Sequence, residues 1–255
     1  MQKSKIFILS ILFIVLIALF SPFFQGNVRF ELNHRIKINS ENESWATILH
    51  EKPFRDLSFR DSKLEVNNNS IYVVGTLNYD EFHISKCNTS GVKIWEFTLN
   101  YTLYSFDLTI DLDDFLYITG MHYNGSSSNL LLLKIDASGH VVWSKIIKSN
   151  VSAGLITLKL DQNNFLYISG YAFSSTRNIV FLSKLNSSGV VLWDVDFDTG
   201  GIGRIKMHID SGNNIILYVG TYGSKQYLFK YNSSGSTIWH KEWGGNCRSG
   251  NIKVT

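Results

Sequence analysis

The chain has 255 residues, of which 44% are hydrophobic and 14% aromatic, with 2 prolines and a formal net charge of +3. This length and composition suit one all-β domain or two smaller ones, and they exclude disordered and collagen-like chains. The weak net charge and the lack of any run of five basic residues exclude a nucleic-acid-binding protein, so no nucleic-acid partner is predicted.

The first segment, residues 1–26, is predicted to direct export. Its hydrophobic stretch, residues 6–24, carries no charge and follows two lysines. It is long enough for a membrane-spanning helix if Ser21 and Pro22 are tolerated near its end. The alternative is a cleaved signal peptide, although no Ala-x-Ala-like cleavage site follows. We favour an uncleaved signal-anchor in the cell membrane with the bulk of the chain extracellular, whereas cleavage would give a secreted protein.

The remaining residues, 27–255, contain a repeat with a period of 45–50 residues. One mark of the repeat is a tryptophan that ends phrases such as KLNSSGVVLW (184–193), and the other is a glycine that ends phrases such as FLYISG (165–170). Two independent marks that keep the same period predict a repeat architecture. The structural anchors are Trp95, Trp143, Trp193, Trp239, Gly75, Gly120, Gly170 and Gly220.

Each unit is predicted to fold as four short strands joined by tight polar turns. Asn, Ser and Gly favour such turns because their side chains bond the local backbone or tolerate positive φ. In the third unit the strands are LITLKLD (155–161), FLYISG (165–170), NIVFLSKLN (178–186) and VVLWDVDF (190–197). The predicted units span about 63–107, 108–154, 155–204 and 205–250, with a partial unit at 27–62 and a partial strand at 251–255.

The repeated tryptophan is predicted to seal one sheet against the next. The second and third strands are almost continuously apolar, as in FLYI (165–168) and NLLLLKI (129–135). That pattern is typical of a sheet covered on both faces. Sheets stacked face to face around an axis meet this condition, and one indole in each unit can then bridge two sheets.

The fourth unit resembles a known family of repeats. Its phrases SGNNIILYVG (211–220) and LFKYNSSGSTIWHKEWGG (228–245) are similar to SBBP-type β-propeller repeats, which are related in pattern to quinoprotein-like propeller repeats. The resemblance covers about 63–250. It implies an all-β propeller of four-stranded antiparallel blades around a central channel, here preceded by one N-terminal hydrophobic helix.

Both ends of the repeat array look incomplete in sequence. RIKINSENESW (35–45) resembles the last two strands of an earlier blade, and NIKVT (251–255) matches the start of a first strand. The chain is expected to be either a fragment of a longer ring or an imperfectly closed ring. We favour the fragment, because an unpaired strand edge invites aggregation.

No pattern of catalytic, cofactor-binding or metal-binding residues emerges. HExxH, GxSxG, P-loop and Rossmann phrases are missing, and the seven histidines are scattered singly. The acidic phrases DLDD (111–114), DQNN (161–164) and DSGNN (210–214) lack the Gly and Glu of a calcium loop, so we interpret them as turns. We therefore predict no catalytic residue, no cofactor and no metal.

The two cysteines, Cys87 and Cys247, are far apart and have no CxxC spacing, which excludes a zinc site and a dense disulfide framework. They either pair in an oxidising compartment or remain two free thiols, and we favour free thiols. Eight N-x-Ser/Thr sequons are candidate glycosylation sites on an exported chain. They are Asn42, Asn68, Asn88, Asn100, Asn124, Asn150, Asn186 and Asn232.

Together these features predict a membrane-anchored or secreted β-propeller that acts as a non-catalytic surface binding or adhesion module. The loops that differ most between units are the candidate binding segments for a protein or glycan partner at one rim. Two alternatives remain, a quinoprotein-like (PQQ-type) oxidoreductase and a purely structural cell-envelope protein. The variable loops are NYDEF (78–82), HYNGSSS (122–128) and YAFSSTR (171–177).

Overall fold

The computed structural model is all-β over the residues it describes. Within those ranges no residue is helical, and accordingly no helix is long and apolar enough to cross a membrane. The predicted helix in 6–24 and the predicted strands in 35–45 and 251–255 lie outside them. The described ranges are 29–32, 59–67, 70–77, 81–125, 127–173, 178–198, 203–221 and 225–244.

The chain forms successive antiparallel sheets in which each strand pairs with its neighbours in sequence. The first sheet has the order β1-β2-β3-β4-β5, and the other three are four-stranded, with the orders β6-β7-β8-β9, β10-β11-β12-β13 and β14-β15-β16-β17. The strands are β1 Arg29–Leu32, β2 Phe59–Val66, β3 Ser70–Leu77, β4 Glu81–Asn88, β5 Lys93–Leu99, β6 Tyr104–Ile110, β7 Leu116–Tyr123, β8 Ser128–Ile135, β9 Val141–Lys148, β10 Ser152–Leu160, β11 Leu166–Phe173, β12 Asn178–Leu185, β13 Val191–Asp198, β14 Arg204–Ile209, β15 Ile215–Gly220, β16 Lys225–Tyr231 and β17 Thr237–Gly244.

The prediction of repeated four-stranded antiparallel units is confirmed. One strand was not expected: β1 adds to the outer edge of β2, with Arg29 opposite Glu65. In the third unit, β10 begins at Ser152, three residues before the predicted strand, and β11 ends at Phe173, three residues after it. The other two strands, β12 and β13, agree with the prediction to within one residue. By contact density the chain divides into two compact units, Met1–Leu77 with His83–Thr98 and Asn78–Phe82 with Leu99–Thr255.

Within the second unit, each sheet packs on the next one along the chain. We call the face that a sheet turns toward its successor the leading face, and the opposite face the trailing face. On the leading face of the third sheet, Tyr167, Val180 and Leu182 pack against Ile205 and Leu217 of the fourth sheet. The second and third sheets share a similar apolar layer. The nearly continuous burial of β11 follows, since the second sheet covers one face of the third sheet and the fourth sheet covers the other.

The glycine marks of the second and third units accommodate a bulge in the neighbouring strand. The register of β10 shifts between Gly154 and Thr157, opposite Gly170 in β11. A Cβ added to Gly170 would lie 2.6 Å from Cδ1 of Ile156, a residue of that bulge. In the second unit, a Cβ added to Gly120 would lie 2.9 Å from Cβ of Phe106. The bulge therefore seats a large side chain where only glycine leaves room.

Candidate binding site at one end of the sheets

The repeated tryptophans lie at the seams between consecutive sheets of the second unit. Trp193 packs against the β16–β17 hairpin, where a Cβ on Gly235 would be 2.9 Å from its indole. Its Nε1–H also donates to the carbonyl oxygen of Ser233 at 3.1 Å. A Cβ added to Gly189 of the third sheet would likewise lie 2.9 Å from the indole of Trp143. The indole thus rests on the turn of the next sheet, which explains why tryptophan and turn recur together.

Lysines reinforce both seams by donating to carbonyl oxygens and to a carboxylate. Lys145 Nζ lies 2.6 Å from the Ser188 carbonyl oxygen, in the hairpin turn of the next sheet. Lys184 reaches the corresponding Ser233 carbonyl oxygen at 2.9 Å. Lys148 forms an ion pair with Asp194. Each seam therefore combines an apolar layer with directed polar contacts.

The hairpin turns between third and fourth strands hold their asparagines in place. Asn186 Oδ1 accepts hydrogen bonds from the backbone N–H groups of Ser188 and Val190, at 3.1 and 2.9 Å. Gly189 completes the turn with a φ of 74°, which favours glycine. Asn88 and Asn232 likewise accept, through Oδ1, hydrogen bonds from the backbone N–H groups two and four residues later.

The other sequons differ in their surroundings. Asn100, Asn124 and Asn150 are exposed, and Asn124 belongs to a loop where its Oδ1 accepts from the Ser127 N–H at 2.9 Å. Asn42 and Asn68 lie outside the described residues. If the chain is glycosylated, the exposed loop sequons offer a glycan more room than the hairpin asparagines do.

The acidic turns hold a carboxylate that bonds both the backbone and a buried tyrosine. Asp161 Oδ1 accepts from the N–H groups of Asn163 and Phe165, at 2.9 and 3.0 Å, and Oδ2 accepts from the Tyr167 hydroxyl at 3.1 Å. Asp111 and Tyr117 form the same arrangement. These carboxylates are engaged in turn formation, as the sequence predicts.

The fourth unit changes this arrangement, because Ile216 stands where a tyrosine would be. Asp210 still accepts from the backbone of Gly212 and Asn214, and it pairs with Lys230 at 2.8 Å. That lysine holds the pKa of Asp210 well below its usual range. Across the described ranges, no three His, Cys, Asp or Glu side chains are placed together to hold a metal ion.

The Asp–Tyr pairs predict a loss of stability at high pH. Burial, with the nearby Asp111 and Asp161 charges, raises the pKa of Tyr117 and Tyr167 above the ordinary value of roughly 10. Because the folded-state pKa is raised, the stabilisation is complete below about pH 10 and is lost as the pH rises further. Absorbance at 295 nm should show these two phenols ionising only when the protein unfolds.

Variants separate this effect from general alkaline unfolding. The double variant Tyr117→Phe and Tyr167→Phe should flatten the fall in stability above about pH 10. Titration of every tyrosine near pH 10 in the folded protein would contradict the assignment.

Exposed aromatic and apolar side chains gather at one end of the second and third sheets. Tyr104 begins β6 and is 51% exposed, Tyr123 ends β7 and is 56% exposed, and Phe173 ends β11 and is 45% exposed. Leu155, in the bulge of β10, is 41% exposed. We call these four residues the rim patch. Residues 122–125 and 171–173 of the variable segments belong to or adjoin it, whereas 78–80, 126 and 174–177 lie outside the described residues.

Backbone strain accompanies the rim patch. Ser105 and Leu155 have φ values of 47° and 54°, the left-handed region that residues with a Cβ rarely adopt. Such conformations cost about 1–3 kcal/mol and are concentrated at functional sites. Beside the patch, the His122 ring lies 4.9 Å from the Tyr101 ring, and its buried Nδ1 has no hydrogen-bond partner. The candidate segments named from the sequence contain Tyr123 and Phe173, but sequence reasoning missed the bulge that exposes Leu155.

The first sheet contains a small group of titratable side chains. His83 Nε2 lies 3.6 Å from Glu96, which pairs with Lys93 at 2.7 Å. Cys87 is a buried free thiol, and burial together with the Glu96 charge raises its pKa. A raised pKa keeps the thiol protonated, so Cys87 is a poor nucleophile and suits a structural role. Cys247 lies outside the described residues.

No family model matches the chain, and no curated protein matches it. Among solved structures it is similar to a bifunctional GH43-CE protein from Bacteroides eggerthii, with 12% sequence identity and a TM-score of 0.47. That alignment covers 82% of this chain and 29% of the other, so this chain spans less than a third of that protein.

Proposed function

We propose that the protein is an exported, membrane-anchored β-propeller that binds a protein or glycan partner at the rim patch and catalyses no reaction of its own. The observation that carries the proposal is the exposure of three aromatic rings at one end of two adjacent sheets. Aromatic side chains supply large contact areas at a low entropy cost, and they are enriched at the energetic centres of interfaces.

The scaffold beneath the patch supports this role. Tyr104, Tyr123 and Phe173 sit at the ends of strands whose central residues are buried, so the rings are attached to a rigid base. Binding residues are commonly placed on loops and strand ends positioned by such a scaffold. The Tyr123 hydroxyl donates to the Gly125 carbonyl oxygen at 2.7 Å, which orders the first loop.

A screen for ligands with a matched pair of variants tests the proposal. Wild type would be applied to arrays of glycans and of cell-surface proteins, together with the triple variant Tyr104→Ser, Tyr123→Ser and Phe173→Ser. Loss of hot-spot rings at about 1–2 kcal/mol each should weaken binding by at least about tenfold. The control, Val141→Ser with Val191→Ser, alters two exposed positions on fourth strands and should bind like wild type.

Other results would point to the alternatives. Equal binding by the wild type and the triple variant would reject the rim patch, and no ligand in either array would favour a structural envelope protein. A new absorbance band and dye reduction after addition of pyrroloquinoline quinone and calcium would favour the oxidoreductase and overturn the non-catalytic proposal.

A further inference from the structure

The rim patch is continuous across the second and third sheets. A Cβ added to Gly154 in β10 would lie 3.9 Å from Oγ of Ser105 in β6, so the bulged stretches of these two strands adjoin. Tyr104 stands opposite Met121 in β7, and Tyr123 follows Met121 by two residues on the same face of the sheet. The two rings are therefore diagonal neighbours, which lie about 7–8 Å apart in an antiparallel pair. One extended ligand can contact both.

The surface around these rings is uncharged over the residues that the structure describes. Its segments contain no Asp, Glu, Lys or Arg, although 18% of the chain is charged. The imidazole of His122 is half-buried and lies against the Tyr101 ring. A carboxylate or phosphate brought to such a surface would lose hydration without gaining a cationic partner, which is costly. The patch therefore favours an uncharged ligand. The segments are 99–106, 120–125, 127–129, 149–157 and 169–173.

Neutral amide groups flank the rings. Asn124 follows Tyr123 and is exposed, and its Oδ1 accepts from the Ser127 N–H at 2.9 Å, which holds the amide in place. Asn150 is also exposed, and its backbone is tied to β8, where its N–H donates to Asn129 Oδ1 at 3.2 Å. A side-chain amide both donates and accepts hydrogen bonds, as does each hydroxyl group of a sugar. The polar groups beside the rings thus match an uncharged, hydroxyl-rich ligand.

The exposed area of the patch favours a small ligand. Roughly half of each of its four side chains is exposed, which amounts to on the order of 400 Å², because such side chains present about 150–250 Å² each. A typical protein partner buries about 800 Å² on each side of an interface. A short oligosaccharide can be held within the patch, whereas a protein interface would extend well beyond it.

We propose that the rim patch binds an uncharged oligosaccharide. Its sugar rings stack on the three aromatic rings of the patch, and its hydroxyl groups bond the amides of Asn124 and Asn150. The inference rests on the proposed function and names the ligand class of that site. The weakly positive C–H groups on the apolar face of a pyranose are attracted to the negative face of an aromatic ring. Binding then depends on ring faces and not on charge, so salt should have little effect on it.

Calorimetric titration of the full chain tests the ligand class. The chain is made in a host without N-glycosylation, so that no glycan on Asn124 or Asn150 covers the patch. The probes are neutral oligosaccharides of glucose, xylose, mannose and galactose, and a matched pair, an oligogalacturonate and its methyl ester. We expect a neutral oligosaccharide to bind and the acid to bind no more tightly than its ester. The affinity should change by less than about twofold between about 0.01 M and about 1 M salt.

Paired variants test whether the aromatic faces carry the binding. Tyr104→Phe and Phe173→Tyr keep a ring and should bind within about threefold of wild type, whereas Tyr104→Leu and Phe173→Leu lose it and should each weaken binding by about tenfold. Both positions are exposed, so circular dichroism should show the same fold in all four variants.

The outcomes separate this inference from the proposed function. Tighter binding of the acid than of its ester, or a steep loss of affinity with salt, would overturn the uncharged ligand and leave the rim patch as the binding site. Binding of a surface protein that the triple serine variant loses, with no oligosaccharide bound, would do the same. Equal binding of an oligosaccharide by wild type and both leucine variants would overturn the inference and the proposed function together, as would the lack of any ligand in these titrations and in the protein array.

Discussion

Trp193→Ala is expected to lower the free energy of unfolding by about 3 kcal/mol, whereas Trp239→Ala should lower it by less than about 1 kcal/mol. Both indoles occupy the same position in the repeat, so the difference isolates the effect of the next sheet. Trp193 loses its contact with the β16–β17 hairpin, its hydrogen bond to Ser233 and an edge contact with Tyr167 at 6.0 Å. Trp239 is 37% exposed, so its removal gives up less buried area.

The measurement is urea unfolding followed by far-ultraviolet circular dichroism, because tryptophan fluorescence would itself change with the substitutions. Trp143→Ala should behave like Trp193→Ala, since Trp143 meets Gly189 in the same way. Equal costs for Trp193→Ala and Trp239→Ala would show that the indole acts within its own sheet, and the seam model would then be wrong.

The expected difference follows from how a stacked array distributes stability. Each sheet of the second unit shares an apolar layer with its neighbour, and the stability of such an array is roughly a sum of sheet and interface terms. Trp193→Ala removes part of the interaction free energy between two sheets, whereas Trp239→Ala removes a more exposed side chain and costs less.

The strand pattern and the turns could be predicted because they depend on local and periodic signals. The alternation of apolar phrases with Asn-Ser-Gly turns located the strands to within a few residues, as at β12 and β13. The pairing of Asp161 with Tyr167 also had a signal: Asp and Tyr recur six residues apart at 111 and 117, but Ile216 replaces the tyrosine after Asp210.

The exposure of Leu155 in the rim patch depends on tertiary fit and could not be predicted from the sequence. The bulge that exposes Leu155 exists because Ile156 fits over Gly170, and those residues belong to different strands. The repeat period predicts a glycine at position 170, but it does not predict that the Ile156 side chain packs against that glycine. The exposure of Trp239 could not be predicted either, since Trp239 has the same sequence context as Trp193, which packs on the next hairpin.

Asp161→Ala is expected to cost about 3 kcal/mol in the free energy of unfolding, clearly more than Asp136→Ala. Both carboxylates accept two backbone N–H bonds in a turn, at 2.9 and 3.0 Å for Asp161 and at 2.9 Å for Asp136. Asp161 is 7% exposed and also accepts from the buried Tyr167 hydroxyl, which the alanine variant leaves without an acceptor.

A double-mutant cycle with Tyr167→Phe measures the extra bond directly, and a coupling of about 1–2 kcal/mol between Asp161 and Tyr167 is expected. The cycle also separates a structural turn from a calcium loop. A structural turn gives the same coupling with calcium or with chelator, because the carboxylate is already occupied by two N–H groups and a phenol. If calcium raised the melting temperature of the wild type and Asp161→Ala abolished that rise, the carboxylate would be a metal ligand and the turn interpretation would be wrong.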